Sequence, residues 1–185
     1  VMFLVLIFVA VCSVAFSAVA PEMMKILADE KYYEAVYVIP PVALGMFFNF
    51  MYVLFANVEF FYDQNKFTMF ISMAGALLNI GFNYVGIKLF GYIAAAYTTL
   101  FCYVIFALGH YIYMTISVKK AIGVSTVFRS GRLLILSISV LVTGIVVIFL
   151  YDKVVVRYAI ILMIGIFALI KKENIKKVFK TIKKK

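Results

Sequence analysis

Glu59 stands in the run VLFANVEFFYD, flanked by apolar side chains, with Asn57 and Asp63 the polar groups nearest it in sequence. A carboxylate placed inside an apolar helix can carry a proton, hold a cation or meet a polar ligand. The plainer reading is that Glu59, one turn from Asp63, simply reaches water. His110 is the sole histidine. It shares a helical face with Thr99, Tyr103, Tyr113 and Ser117, and there it either responds to pH or is a hydrogen-bonded interior side chain. At about 100° per residue, Asn57 and Glu59 point to nearly opposite sides of one helix, with Asn49 between them in angle. Asn49, Glu59, His110, Asn79 and Asn83 are therefore the candidates for lining a polar path. Arg129 and Arg132 flank a Ser-Gly pair; guanidinium groups there can grip a phosphate bidentately, or can merely anchor a helix end. There is no metal-ligand spacing, no nucleophile elbow and no glycine-rich phosphate loop with its lysine. No enzyme is expected, and no metal or cofactor.

What must position these groups follows from the solvent. The chain is 66% hydrophobic and 14% charged, with a mean hydropathy of +1.11, well above the roughly 45–50% apolar content of soluble domains. A core of this size cannot hide so much apolar surface, so the excess faces lipid. Uncharged runs at 1–21, 35–58, 67–87, 89–118 and 133–151 approach or exceed the ~20 residues that span a bilayer. A sixth at 154–170 is broken only by Arg157, close enough to its end to reach the headgroups. The expectation is an all-α membrane protein with six transmembrane helices, at about 1–20, 34–62, 66–87, 91–118, 133–151 and 154–170, and a basic tail at 171–185. Segment 20–34 reads as a short amphipathic stretch in the interface. Pro40-Pro41 reads as a bend within the second helix. The connection KKAIGVSTVFRSGR is long enough for a surface helix. Cys12 and Cys102 read as buried thiols acting as small hydrophobes.

The net charge of +10 does not point to nucleic acid, because eight of the eighteen cations crowd the segment from Lys171 onward. Juxtamembrane lysines mark a cytoplasmic face beside anionic lipid. With six spans and the tail inside, thirteen cations fall inside and five outside, which places both ends of the chain in the cytoplasm.

The stretch LLNIGFNYVGIKLFGYIAAAYTTL, residues 77–100, keeps amides and glycines at helical spacing. Ser72, Gly75, Asn79, Asn83 and Gly86 fall on one face of the third helix. Gly91, Ala95, Thr98, Cys102 and Gly109 fall on one face of the fourth. Lipid provides no hydrophobic drive for helices to associate, so small residues permit close approach and amides bond across the seam. Asn79 and Asn83 are then packing devices, or else part of a polar pathway.

These residues carry a likeness. The stretch resembles the N-x-x-x-N-Y … F-G-x-x-A-A-A-x-T signature in the second half of bacterial polysaccharide flippases. Those proteins translocate O-antigen and capsule repeat units and belong to the multidrug/oligosaccharidyl-lipid/polysaccharide exporter superfamily. APEMMKIL, YYEAVYVIPPVALG and FANVEFFYDQNKF look like the same family's segment before its tenth helix. The likeness covers about 20–117 and fades beyond. Lys88 departs from it, standing where the family has a proline before the F-G turn.

The resemblance implies one six-helix lobe of a two-lobe transporter, in the bacterial cytoplasmic membrane. Its partners would be a lipid-linked oligosaccharide, membrane lipids and a missing N-terminal six-helix lobe. Because the chain opens inside an apolar run, it is expected to be a piece of something longer. A multidrug cation antiporter of the same superfamily and a non-transport membrane scaffold subunit are the alternatives.

Overall fold

The computed structural model describes residues 2–62, 65–124 and 128–170, with side chains at all of these except 65, 67 and 164–170. The expected basic tail lies outside the described residues. Among the described residues the chain is helical, with no strand, as composition requires when every backbone group must be satisfied without water.

Helix α1 (Met2–Ala18) and α2 (Ala20–Leu27) meet at 56°. Pro21 sits in the first turn of α2, where its missing N–H costs nothing. A 3-10 segment, Glu30–Val38, leads into α3 (Ile39–Phe61). Then follow α4 (Asn65–Phe90), α5 (Ala94–Ile122), α6 (Ser130–Phe149) and α7 (Val154–Ile170). Four helical stretches are long and apolar enough to cross a membrane, or five when the bent α1–α2 pair is taken as one span. The sixth expected span, α7, is described over 17 residues up to Ile170 and is not among these.

Helix α3 is the centre of the bundle and packs against α1, α4, α5 and α6. Leu44, Phe47, Phe48, Met51 and Phe55 from α3 form the core with Leu6 of α1, Met114 and Val118 of α5 and Val140 of α6. Outward-facing positions stay apolar. Leu77, Ile80 and Val85 on α4, and Ile135, Val142 and Ile145 on α6, are all exposed. Such a surface is at rest only against lipid or another protein.

Four expectations change. Pro40 and Pro41 do not bend a helix. They are buried in the first turn of α3, where a helix lacks i−4 acceptors for its N–H groups, and the 3-10 segment precedes them. The connection after α5 forms no separate helix among the described residues: α5 continues through Lys119 and Lys120 and stops at Gly123, whose φ is +71°. Cys102 is buried, but Cys12 is exposed on α1. Arg157 does not extend outward from its helix end; it is 2% exposed, turned into the fold.

The Arg157 guanidinium grips both carboxylate oxygens of Glu22 (Nη1 to Oε2, 2.7 Å) and donates to the Ala18 carbonyl at 2.7 Å. The break between α1 and α2 explains the last contact. Carbonyls at a helix end have no partner within the helix. Ala18 finds Arg157, and the Ser17 carbonyl accepts from the Tyr151 hydroxyl at 3.1 Å.

The expected seam between the third and fourth helices is present as α4 against α5. Asn79 donates to Thr99 Oγ1 at 3.3 Å, Asn83 donates to Asn79 at 3.0 Å, and the Thr98 hydroxyl donates to Asn83. Gly91, at φ +81°, ends α4 in a left-handed turn that only glycine adopts readily, and its N–H caps the Ile87 carbonyl at 2.9 Å. At Gly75 an added Cβ would lie 1.6 Å from two ring carbons of Phe106. Gly75→Leu is therefore expected to force that ring from the seam and lower stability by about 1–3 kcal/mol. Thermal unfolding of the full-length protein in detergent measures this; an unchanged midpoint would mean the seam is loose.

Candidate functional site

Two residues that sequence reasoning weighed one by one turn out to be partners. Glu59 lies in the last turn of α3, and His110 lies in the middle of α5. Both are 0% exposed. His110 Nδ1 is 3.0 Å from each oxygen of the Glu59 carboxylate. The reading in which Glu59 reaches water does not hold.

A third helix closes the site. Helix α3 ends at Phe61 and α4 begins at Asn65, and the first turn of α4 meets the last turn of α3. Thr68 projects from that turn and donates its hydroxyl to Glu59 Oε2 at 2.7 Å. Thr68 is itself buried. Tyr52, two turns before Glu59 on α3, packs on the imidazole with ring centroids 5.1 Å apart and planes tilted by 37°. One carboxylate thus joins α3, α4 and α5.

The electrostatics follow from the acceptor count. An ionised carboxylate only accepts hydrogen bonds. With Glu59 ionised, Nδ1 must carry the hydrogen shared between its two oxygens, and Thr68 supplies a second donor. His110 Nε2 is buried and has no hydrogen-bond partner among the described residues. A buried charge is costly unless paired and hydrogen-bonded, which makes this pair the candidate site of the bundle. Among the described residues no group of three or more His, Cys, Asp or Glu side chains is placed to hold a metal ion.

The other candidates lie elsewhere. Asn49 is half-buried on α3, ten residues from Glu59, or roughly 15 Å along the axis at 1.5 Å per residue. Asn79 and Asn83 are half-buried and engaged with each other and with threonines of α5. Arg129 and Arg132 are both exposed at the start of α6. Cations at a helix N-terminus oppose its dipole, so they do not serve that helix.

Sequence reasoning missed Thr68. Its signal was its place nine residues after Glu59 across a short turn, which sets the two on facing ends of a helical hairpin. No protein-family model, no curated protein and no solved structure matches the chain.

Proposed function

We propose that this chain is one lobe of a membrane transporter, with six spans and both ends cytoplasmic, that moves a polyprenyl-diphosphate-linked oligosaccharide across a bacterial cytoplasmic membrane. The observation that carries the transport reading is the Glu59–His110 pair, sealed among apolar helices at a cost that a purely structural bundle has no need to bear. The choice of a lipid-linked glycan rests on the resemblance over 20–117. Flipping needs no covalent chemistry. It needs a polar path for the sugar while the prenyl tail stays in lipid, and a lobe that rocks against its counterpart. Asn49, half-buried on the central helix, is the candidate for the path. Arg129 and Arg132, exposed at one end of α6, are suited to the diphosphate.

One observation favours a second reading. A carboxylate sealed away from solvent also suits an antiporter that expels organic cations. Deleting the gene in its own bacterium separates the two. A flippase deletion is expected to lose surface polysaccharide and to accumulate lipid-linked repeat units inside. Intact surface glycan with new sensitivity to cationic drugs would replace the flippase with the exporter.

A further inference from the structure

We propose that Glu59 and His110 form a one-proton binding site, with His110 Nε2 as the atom that receives the proton. The pair's charge is the first ground. With Nδ1–H donating to the carboxylate, the neutral imidazole leaves the buried unit at minus one. A net charge in a low-dielectric interior is expensive, whereas a paired, neutral unit is much less so. One proton makes the unit neutral; a second would leave it charged again. The site is therefore built for a single proton.

The second ground is where the proton goes. Oε2 already accepts from Thr68 at 2.7 Å, and both oxygens face Nδ1. Nε2 is buried with no hydrogen-bond partner among the described residues, and in the Nδ1–H tautomer it presents a bare lone pair. A proton delivered from a hydronium ion adds to that lone pair as the donor's O–H bond breaks and leaves water, and the imidazolium is held by the carboxylate that Nδ1 already touches. Tyr52, packed on the ring at 5.1 Å, adds an aromatic face that favours a cation.

The surroundings leave that charge to the pair. On α3 and at its C-terminal cap the other titratable neighbours are Tyr52 and Tyr62. On α4 there is Lys66, which is exposed. On α5 there are Tyr111, whose hydroxyl is engaged with Ser130, and Tyr113. Arg129 and Arg132 are exposed at the start of α6. Among the described residues Glu59 forms an ion pair with His110 alone. Asp63 lies outside the described residues.

Because the carboxylate ties α3 to both α4 and α5, loading and unloading the proton alters the contact on which those helices meet. The use of that proton to drive transport rests on the transporter reading above; its binding does not. Substrate-free measurement therefore tests the site separately from the gene deletion.

The full-length protein, labelled with 15N-histidine and held in lipid nanodiscs, is titrated by NMR. The resonance lost in His110→Gln is assigned to His110. Its Nε2 signal is expected to move from that of a bare imidazole nitrogen to that of an imidazolium N–H in a single one-proton step as acid is added. Glu59→Gln keeps the shape but removes the charge, and is expected to displace the step clearly from its position in the parent protein. Should His110→Gln not fold, Tyr52→Trp gives a second reading, because an imidazolium quenches the indole packed on it. A Nε2 signal that stays bare throughout, or a step unaltered in Glu59→Gln, overturns the proposal. So does a response to sodium ions at fixed pH with none to protons, which would make this a metal-cation site.

Discussion

His110→Leu is expected to destabilise the full-length protein by about 3–5 kcal/mol, because it removes the ring that holds a fully buried carboxylate. Glu59 would keep Thr68 and lose the donor that faces both its oxygens. Denaturant unfolding in mixed micelles measures the loss. The double variant Glu59→Leu with His110→Leu is expected to recover most of it, since two well-packed apolar side chains replace an ion pair at little net cost. Acidic buffer is expected to narrow the gap between His110→Leu and the parent, because a stranded carboxylate can shed its charge by taking a proton. If the single variant is as stable as the parent, the pair is not the buried unit described above.

The second large effect is expected at Arg157. It is 2% exposed and meets Glu22 through two parallel hydrogen bonds, while the Glu22 side chain remains 30% exposed. That partial exposure lets water rescue the abandoned carboxylate, so the loss on Arg157→Leu is smaller, about 2 kcal/mol. Its distinctive consequence is local. Among the described residues of α7, Arg157 supplies a polar tie to the bundle and Ile161 packs on the cluster around Val14 and Val147, so releasing Arg157 is expected to free α7 before the rest unfolds. A cysteine introduced at Val154 is expected to gain reactivity in the variant ahead of global unfolding. Arg157→Lys is expected to restore little, because an ammonium cannot match both carboxylate oxygens and the Ala18 carbonyl together. Simultaneous loss of all structure at one midpoint would show that α7 is held by something else.

How far these features could be read in advance depended on the length scale each one needed. The α4–α5 seam was legible because its partners sit close in sequence and because lipid makes small and polar residues conspicuous. Asn79, Asn83, Thr98 and Gly75 do what helical spacing suggests. The opposition of Asn57 and Glu59 was also legible from angle alone, and Asn57 is exposed where Glu59 is buried. The Glu59–His110 bond spans 51 residues and depends on the relative rotation of two helices, which no local pattern encodes. The prolines were misread although their signal was present. Pro40-Pro41 fits the first turn of a helix as readily as an interior bend, and what decides is the 3-10 segment before them, whose composition is ordinary. Arg157 was read by its distance from a helix end, without the break at Val19 that supplies its carbonyl.

The two polar networks also differ in when they can be completed during biosynthesis. The amides and hydroxyls of α4 and α5 find their partners within a single hairpin, joined by the turn at Gly91. That hairpin can leave the insertion machinery with its seam already satisfied. Glu59 has no such local remedy. Thr68 follows within nine residues, but His110 is synthesised 51 residues later, and until α5 arrives α3 carries a carboxylate without its ring. The nascent chain must enter the bilayer with that group protonated, or keep the end of α3 in the headgroup layer until α5 draws it in. Either way, Glu59 sets the order in which the central helices assemble.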